Sequence, residues 1–241
     1  MKTTVLKLAG GNDFFTQESF KTLRTNVQFC GQDVRVVAVT SCHENEGKTV
    51  ISLNLAKSFA ELGKRVLVVD ADMRKSVIAG RHTSTKRPTG LSEVLSGLVE
   101  VSESVYETQI PGLHLMFSGQ YPPNPVELLS SPHFSKLLQN ARESYDYVIV
   151  DTPPLGLVID AAVIAPQCDG AMLVMANHAV RFRQAQDVVG QLEKSGAKIL
   201  GVVRNNVGPK GNPYGKRYGK AYGKAYGKAY GKAYGKGYGQ D

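Results

Sequence analysis

Short runs of β-branched and other apolar residues recur along the first 207 residues, and segments with helical spacing separate them. Uninterrupted apolar runs of this kind are typical of strands that are buried on both faces of a parallel sheet. The pattern predicts strands over 34–40, 65–70, 147–151, 171–175 and 198–205. It predicts helices over 16–29, 49–62, 92–98, 133–143 and 182–195. This alternation indicates an α/β fold with a doubly wound, mostly parallel sheet flanked by helices.

Glycine and proline mark breaks in this pattern. Gly63 follows the helix predicted over 49–62, and glycine is a common C-terminal stop for a helix. Three prolines fall close together at Pro122, Pro123 and Pro125. We expect a loop without helix there, because proline lacks the amide hydrogen that a helix uses.

The positive charge of the chain is concentrated near its end. The formal net charge is +8, and the segment 208–241 holds eight Lys and Arg against one acid. Residues 1–207 hold 21 basic and 20 acidic side chains and are nearly neutral. The sequence therefore predicts a folded domain over 1–207 and a basic tail over 208–241.

The tail repeats the tetrapeptide Tyr-Gly-Lys-Ala with few departures. Glycine at every fourth position costs a helix roughly 1 kcal/mol per residue, and the repeat offers no branched aliphatic side chain to bury, so we expect disorder. Tyrosine and lysine share one parity, so an extended tail would present both on the same side. The tail tyrosines are Tyr214, Tyr218, Tyr222, Tyr226, Tyr230, Tyr234 and Tyr238.

The cysteine and histidine spacing offers no sign of a metal site or a disulfide framework. Three widely spaced cysteines form no Cys-x-x-Cys pair, and the five histidines lack metal-binding spacing. A reducing cytoplasm is the expected compartment. The start of the chain lacks the apolar core of a leader, and no run of about eighteen apolar residues occurs, so we expect neither export nor a membrane span.

A phosphate-binding loop is predicted between the first long strand and its helix. Residues 41–49 read SCHENEGKT, and Gly47, Lys48 and Thr49 form the end of a Walker A motif. In such a loop the backbone amides and the helix N-terminus face the phosphates, the lysine reaches the β and γ oxygens, and the threonine hydroxyl binds magnesium. Cys42 stands where the motif usually has its first glycine, and a helix start that merely contains Gly-Lys-Thr is the plain alternative.

Two further predicted strands end in acidic residues. Asp70 and Asp72 follow one strand, in VVDADMR, and Asp151 ends another, in VIVDTPP. Ligands of open α/β sheets bind at the carboxyl ends of strands, so we expect these acids to converge on the loop. Three carboxylates suit the metal-ligand and base roles of phosphoryl transfer, whereas a single aspartate could equally cap a helix.

These motifs resemble those of a known family, the bacterial tyrosine kinases of capsule and exopolysaccharide synthesis in their soluble cytoplasmic form. The likeness runs from about Phe14 to Val207 and includes the loop, VVDADMR as the Walker A′ motif, VIVDTPP as the Walker B motif, SGQYPPNPVELLSS and the tyrosine cluster. It implies a P-loop NTPase of the deviant Walker type. It also implies an ATP- and Mg²⁺-dependent protein-tyrosine kinase with a tail that is phosphorylated in trans.

The resemblance assigns roles residue by residue. The residues that it places at the nucleotide are Glu44, Asn45, Glu46, Gly47, Lys48, Thr49, Val50 and Asn205. The catalytic residues that it implies are Lys48, Asp70, Asp72, Arg74 and Asp151. Thr49, Asp72 and Asp151 hold the metal, Asp70 is the expected base, and Asn205 is a candidate contact for adenine. The family usually has Pro-Gly where this chain has Glu44-Asn45, and neither side chain is needed for a backbone-amide cradle.

The resemblance also implies partners. Glu18, Lys21 and Arg24 match an oligomer-forming E-x-x-R-x-x-R helix, although lysine replaces the middle arginine and loses its bidentate fork. The expected assembly is a homo-oligomeric ring. The expected partners are a membrane chain-length regulator, or polysaccharide co-polymerase, that activates the kinase, and a phosphotyrosine phosphatase. The expected location is cytoplasmic, at the inner face of the membrane through that activator.

Two other functions fit parts of the sequence. A partitioning or positioning ATPase of the related deviant Walker type would share the loop, but such proteins carry a lysine where this chain has His43 and lack a tyrosine cluster. Interleaved tyrosine and lysine in the tail could also bind single-stranded nucleic acid or an anionic surface. Basic repeats alone are unspecific, so a nucleic-acid partner is not expected.

Overall fold

The computed structural model describes residues 2–9, 14–83, 88–177 and 179–207. Within these ranges the chain forms an eight-stranded sheet in the order β1-β4-β5-β3-β6-β2-β7-β8. The strands are β1 (Lys2–Thr4), β2 (Val36–Ser41), β3 (Val66–Asp70), β4 (Val105–Thr108), β5 (Leu113–Met116), β6 (Tyr147–Asp151), β7 (Gly170–Ala176) and β8 (Ile199–Asn205). All neighbouring strands are parallel except β4 and β5, which confirms the mostly parallel α/β prediction.

Helices cover both faces of the sheet. They are α1 (Phe14–Phe29), α2 (Lys48–Ala60), α3 (Leu91–Leu95), α4 (Val101–Ser104), α5 (Pro125–Leu129), α6 (Pro132–Ser144), α7 (Asp160–Ile164) and α8 (Phe182–Lys194), with a π-helical turn at Ile78–His82 and a 3₁₀ turn at Ala165–Gln167. None of the helices in the described ranges is long and apolar enough to cross a membrane. The two faces of the sheet carry separate clusters of buried apolar residues, as a doubly wound fold requires.

The central strands are buried because their residues are apolar on both faces. Every residue of β2 and β3 is buried. On one face α2 packs against the sheet, and its Phe59 ring stacks on Tyr147 at a centroid distance of 3.8 Å. Gly63 ends this region with a φ of 74°, the left-handed conformation that glycine adopts at a helix stop.

Several features of the fold differ from the pattern-based prediction, among them strands β1 and β4, which it did not include. The prediction that helices are excluded around the three prolines is wrong, because α5 begins at Pro125. Proline is tolerated at the first helical position, since that amide has no partner within the helix. Strand β5 was not predicted, although it pairs with β3 next to the centre of the sheet. Its four residues, LHLM, include His114 and are too short to give a period.

The sheet brings the predicted acids and the loop to one edge. Strand β6 lies between β3 and β2, and all three run parallel. In this register Asp70 pairs with Asp151 on the neighbouring strand, and Asp151 in turn pairs with Val39 of β2. The loop after β2 therefore stands beside both acids. The predicted tail, 208–241, with its seven tyrosines, lies outside the described residues.

Candidate active site

The loop between β2 and α2 has the backbone that a phosphate cradle requires. Asn45 and Gly47 adopt positive φ angles of 62° and 91°. A Cβ atom at Gly47 would stand 2.1 Å from the side-chain nitrogen of Asn205. Position 47 therefore needs glycine for two reasons, its conformation and the close approach of β8.

Glu46 and Asn205 hold this loop in place. The Glu46 carboxylate accepts hydrogen bonds from the amides of His43, at 2.6 Å, and Ala176, at 3.1 Å. The Asn205 side-chain amide donates to the Glu46 carbonyl at 2.9 Å. Both side chains thus connect the loop to the ends of β7 and β8. Asn205, which the sequence offers as a candidate for adenine contact, thus bonds to the loop through its side-chain nitrogen.

The segment after β6 forms the adjoining wall of the loop. The Thr40 hydroxyl donates to the Pro153 carbonyl at 3.0 Å, and the Leu155 amide donates to the Ser41 carbonyl at 2.9 Å. A Cβ atom at Gly156 would lie 2.2 Å from the carbonyl oxygen of Cys42. The Walker B segment and the loop are therefore in direct backbone contact.

Asp151 is buried at the first turn of α2. Its carboxylate accepts hydrogen bonds from the Thr49 hydroxyl at 2.6 Å and from the Ser52 hydroxyl at 3.0 Å. Burial raises the pKa of Asp151 to about 6, and nearby Lys48 opposes that rise. Hydroxyl donors offset only part of the cost of burying a carboxylate, so this site favours an added positive charge.

Asp70 stands beside Asp151 with even less compensation. It accepts hydrogen bonds from the Ser76 hydroxyl and, at 3.3 Å, from the Asp72 amide. Burial, and next the charge of Asp151, raise the pKa of Asp70 well above its usual value. Asp70 and Asp151 occupy paired positions on neighbouring strands, and their carboxylates repel each other in the low-dielectric interior. This edge of the sheet therefore carries negative charge that the protein does not fully balance.

Lys48 reaches the second acidic motif from the start of α2. Its ammonium nitrogen lies 3.7 Å from the Asp72 carboxylate, and both side chains are largely buried. The other Asp72 oxygen accepts a hydrogen bond from the Lys75 amide at 2.9 Å. Asp72 therefore ties the segment after β3 to the loop lysine.

Arg74 is fixed by an acid that the sequence did not single out. Its Nε atom donates to both carboxylate oxygens of Asp160, at 2.9 and 3.1 Å. Asp160 is 1% exposed and lies at the start of α7. This bond, more than its opposing burial, raises the pKa of Arg74 above its usual value, so the guanidinium stays charged at the edge of the cleft.

These elements surround an open cleft of about 340 Å³. Among its lining residues are Glu44, Asn45, Gly47, Lys48, Thr49, Val50, Asp72, Arg74, Lys75, Pro153 and Leu157. Asp70 and Asp151 lie directly behind this lining, and each is 1% exposed. At the rim, the Lys75 ammonium lies 2.6 Å from the Glu44 carboxylate. The arrangement combines a backbone cradle for phosphate with buried carboxylates whose negative charge is not fully balanced by positive groups.

The donor set fits a nucleotide-bound magnesium better than a metal held by protein alone. In the described part of the chain no group of three or more His, Cys, Asp or Glu residues is arranged to hold a metal ion. Magnesium usually takes one or two protein oxygens and completes its shell with phosphates and water. Thr49 and Asp151, in contact with each other, provide that kind of partial set.

Three predicted site residues lie away from the cleft. On α1, Glu18 and Lys21 form an exposed ion pair at 2.7 Å. Arg24 donates to the Ser58 carbonyl at 2.6 Å and to the Ser58 hydroxyl at 3.2 Å, which packs it against α2 of its own chain. The structure therefore separates these three α1 residues from the phosphate loop and the acids.

The sequence reasoning missed three side chains that support the site, Ser52, Ser76 and Asp160. Ser52 lies three residues after Thr49, so helical spacing alone places it on the same face of α2. Ser76 and Asp160 belong to no motif, and only the packing of loops around the cleft brings them to Asp70 and Arg74.

The loop, the parallel sheet and the acids at its carboxyl edge define a P-loop NTPase. The AAA domain family matches residues 34–176. Tyrosine-protein kinase CpsD of Streptococcus agalactiae is 41% identical over 192 residues, which cover 80% of this chain and 84% of that protein. Tyrosine-protein kinase YwqD of Bacillus subtilis (strain 168) is 36% identical over 78% of this chain and 80% of that protein. The chain belongs to the family of bacterial tyrosine-protein kinases, which confirms the resemblance drawn from its motifs.

Solved structures agree with this assignment. The kinase domain of the Escherichia coli tyrosine kinase ETK superposes with a TM-score of 0.75 at 32% identity, covering 79% of this chain and 75% of that chain. The septum site-determining protein MinD from Pyrococcus horikoshii OT3, described as a complex with Mg-ADP, superposes with a TM-score of 0.61 at 22% identity, covering 77% and 76%. This second likeness concerns the fold alone.

Proposed function

We propose that this tyrosine kinase uses ATP and Mg²⁺ to phosphorylate the tyrosine cluster of its own tail in trans, within a homo-oligomer. The observation that carries the proposal is the meeting of Lys48, Thr49 and three aspartates at one cleft. Seven tyrosines, from Tyr214 to Tyr238, follow that domain in the same chain. A kinase site and a row of acceptors are thus covalently joined.

The proposed roles follow the geometry of the cleft. The amides around Gly47 and the ammonium of Lys48 bind the β and γ phosphates. Thr49, Asp151 and Asp72 would hold Mg²⁺, which would supply positive charge next to the phosphates. Asp70 receives the proton of the acceptor hydroxyl. The contact between Thr49 and Asp151 at 2.6 Å supports their shared metal role, whereas the base role of Asp70 rests on the resemblance of its motif.

Asp72 and Arg74 keep positively charged groups in position at the cleft. Asp72 positions the Lys48 ammonium 3.7 Å away, where it can shift to a phosphate oxygen when the nucleotide enters. Arg74, held by Asp160, keeps a positive charge at the cleft for phosphate oxygens. The protein thereby contributes chiefly positioning and electrostatic stabilisation, as phosphoryl transfer requires.

We further propose that the kinase serves capsule or exopolysaccharide synthesis with a separate membrane activator, a chain-length regulator, and a phosphotyrosine phosphatase that resets it. Glu18, Lys21 and Arg24 mark the proposed ring interface on α1. Each phosphotyrosine adds a charge of about −1.5 to −2, so modification of the tail would reverse its sign. Repulsion between modified tails would then favour separation of the subunits.

Incubation of the full chain with Mg²⁺ and ATP tests this proposal. The reaction is run with and without the cytoplasmic segment of a chain-length regulator from the same organism, and phosphate is mapped by mass spectrometry. We expect phosphate on tail tyrosines, and we expect Lys48→Met to abolish it because the phosphates lose their ammonium contact. Lys57→Met is the matched control, since Lys57 lies on the same helix and pairs with Glu61.

Two results would contradict the proposal. Phosphotyrosine that persists in the Lys48→Met variant would mean that another site, or a contaminating kinase, performs the transfer. ATP hydrolysis without any phosphotyrosine, even with the activating segment present, would instead favour a partitioning or positioning ATPase.

A further inference from the structure

Glu44 is the more solvent-exposed of the two carboxylates that line the cleft. The acidic residues among those that line the cleft are Glu44 and Asp72. The Asp72 side chain is 8% exposed and faces Lys48, whereas the Glu44 side chain is 43% exposed. Of these two carboxylates, Glu44 is therefore the one that a cation from outside reaches first.

The present partner of Glu44 can be exchanged. Its carboxylate accepts a hydrogen bond from the Lys75 ammonium at 2.6 Å, and the Lys75 side chain is 69% exposed. This bond lowers the pKa of Glu44, so the carboxylate stays ionised at neutral pH. Exposed ion pairs contribute little net free energy, because water and other ions compete for both partners. A lysine from another segment can therefore replace Lys75 at small cost.

The tail carries lysines at a fixed distance from its tyrosines. Each of the seven tail tyrosines has a lysine two residues away on at least one side. From Tyr218 to Tyr234 a lysine stands two residues away on both sides. Residues two apart in an extended chain lie about 7 Å apart and point to the same side. A tyrosine that enters the cleft then holds its neighbouring lysine at the rim.

We propose that Glu44 is a specificity-determining residue that selects acceptor tyrosines by pairing with the lysine two residues away, in exchange for Lys75. This inference rests on the proposed function, since it takes the tail as the substrate. The tyrosines of the folded domain lack this flank: Tyr106, Tyr121, Tyr145 and Tyr147 have no lysine two residues away. Selection by Glu44 therefore distinguishes the tail from the rest of the chain.

The positive charge of the tail is complementary to the Glu44 carboxylate, although the lining of the cleft also carries Lys48, Arg74, Lys75 and Arg81. The segment 208–241 holds eight basic residues and one acid. General attraction of a basic tail to acidic groups of the domain would require only net charge, whereas pairing with Glu44 requires the spacing between tyrosine and lysine. The two explanations differ in what happens when the lysines keep their number but change their position.

The test uses two versions of the full chain. In the enzyme copy all seven tail tyrosines are replaced by phenylalanine, so it accepts no phosphate on its tail. The acceptor copy carries Lys48→Met and one of four tails: the natural tail, one with the six lysines from Lys216 to Lys236 replaced by glutamine, one with the same lysines replaced by glutamate, and one in which each Gly-Lys pair from 215 to 236 is exchanged to Lys-Gly. The last tail keeps the charge but moves lysine to the opposite side.

The readout is kcat/KM for phosphorylation of each acceptor tail with the activating segment present. The natural enzyme is expected to prefer the natural tail over both the glutamine and the exchanged tail by about two- to fivefold, mostly through KM. Glu44→Gln is expected to reduce this preference to about one. Glu44→Lys is expected to prefer the glutamate tail, a rescue that a merely structural effect would not produce. A ratio between tails cancels any effect of these variants on nucleotide binding.

Glu193→Gln is the matched control, since Glu193 is an exposed acid of α8 near the start of β8, at the opposite end of the sheet. Its tail preference is expected to equal that of the natural enzyme. Equal rates with the natural and exchanged tails, or a preference that survives Glu44→Gln, would overturn the inference while leaving tail phosphorylation intact. Absence of phosphate on every acceptor tail, natural enzyme included, would remove the proposed function itself.

Discussion

The two ends of the central sheet treat their aspartates in opposite ways. At the end where β2 and β7 begin, Asp169 accepts hydrogen bonds from the amides of Arg35, at 2.8 Å, and Val36, at 2.7 Å, and it also pairs with Arg142. Burial works against ionisation there, but the amide and arginine contacts outweigh it and lower the pKa of Asp169. At the other end burial raises the pKa of Asp70 and Asp151.

This difference separates stability from function. The amino ends of strands present free amides, so a carboxylate such as Asp169 completes hydrogen bonds and stabilises the fold. At the carboxyl end, Asp70 and Asp151 accept hydrogen bonds from hydroxyls and from one amide, at 3.3 Å. These contacts leave part of their negative charge unbalanced until a cation binds. Sites that bind ligands commonly keep such uncompensated charge at a cost in stability.

The largest expected effect is on activity at the carboxyl end. Asp151→Asn keeps the shape of the side chain but removes the charge beside Thr49, so kcat/KM for tyrosine phosphorylation should fall about 100- to 1,000-fold. Initial rates of phosphotyrosine formation measure it. Asp146→Asn is the control, because Asp146 accepts a hydrogen bond from the Arg65 amide at the other end of the sheet. A folded Asp151→Asn enzyme with nearly natural activity would break the comparison.

The second effect is on stability at the amino end. Asp169→Asn weakens three charge-assisted hydrogen bonds, and the free energy of unfolding should decrease by about 1–3 kcal/mol. Urea denaturation followed by circular dichroism measures this change. Activity of the folded variant should be close to natural, since Asp169 lies at the opposite end from the cleft. A loss of activity in fully folded protein would show that the two ends are coupled.

A smaller effect of opposite sign is expected for Asp70. Its folded pKa is raised, so the ionised form is disfavoured on folding, and Asp70→Asn should stabilise the metal-free protein by about 0.5–2 kcal/mol at pH 7 while activity falls. The gain should vanish below the unfolded pKa of 3.8, where the natural side chain is protonated in both states. Thermal unfolding in EDTA at pH 7 and pH 3.5 tests both statements. Destabilisation at pH 7 would contradict them.

The smallest effect is the pH dependence of the Asp169 contribution. Its folded pKa lies below the usual value of 3.8, so its contribution to stability is fully present above that value and is lost as the pH falls through the folded pKa. The difference in unfolding free energy between natural protein and Asp169→Asn should therefore be constant from pH 7 to pH 5 and shrink below about pH 4. A difference that grows with acid would have the wrong sign.

Much of the fold followed from local pattern. The apolar runs of β2, β3 and β6 predicted buried parallel strands, and the position of Gly63 predicted the end of the helix between the first two. Strand β5 was not predicted because its four residues, which include a histidine, are too few to show a periodic pattern. The helix that begins at Pro125 was not predicted because proline was considered only as a helix breaker, not as a first helical residue.

Short stretches of sequence determined the phosphate loop, the acids at strand ends and the tyrosine-lysine spacing of the tail, because each depends on residues that are close together in the chain. Only the tertiary structure decided that Glu46 and Asn205 hold the loop, that Asp160 holds Arg74, and that Glu44 meets Lys75 at the rim. These contacts join positions between 31 and 159 residues apart. Their formation depends on strand order and loop packing, which no short stretch of sequence encodes.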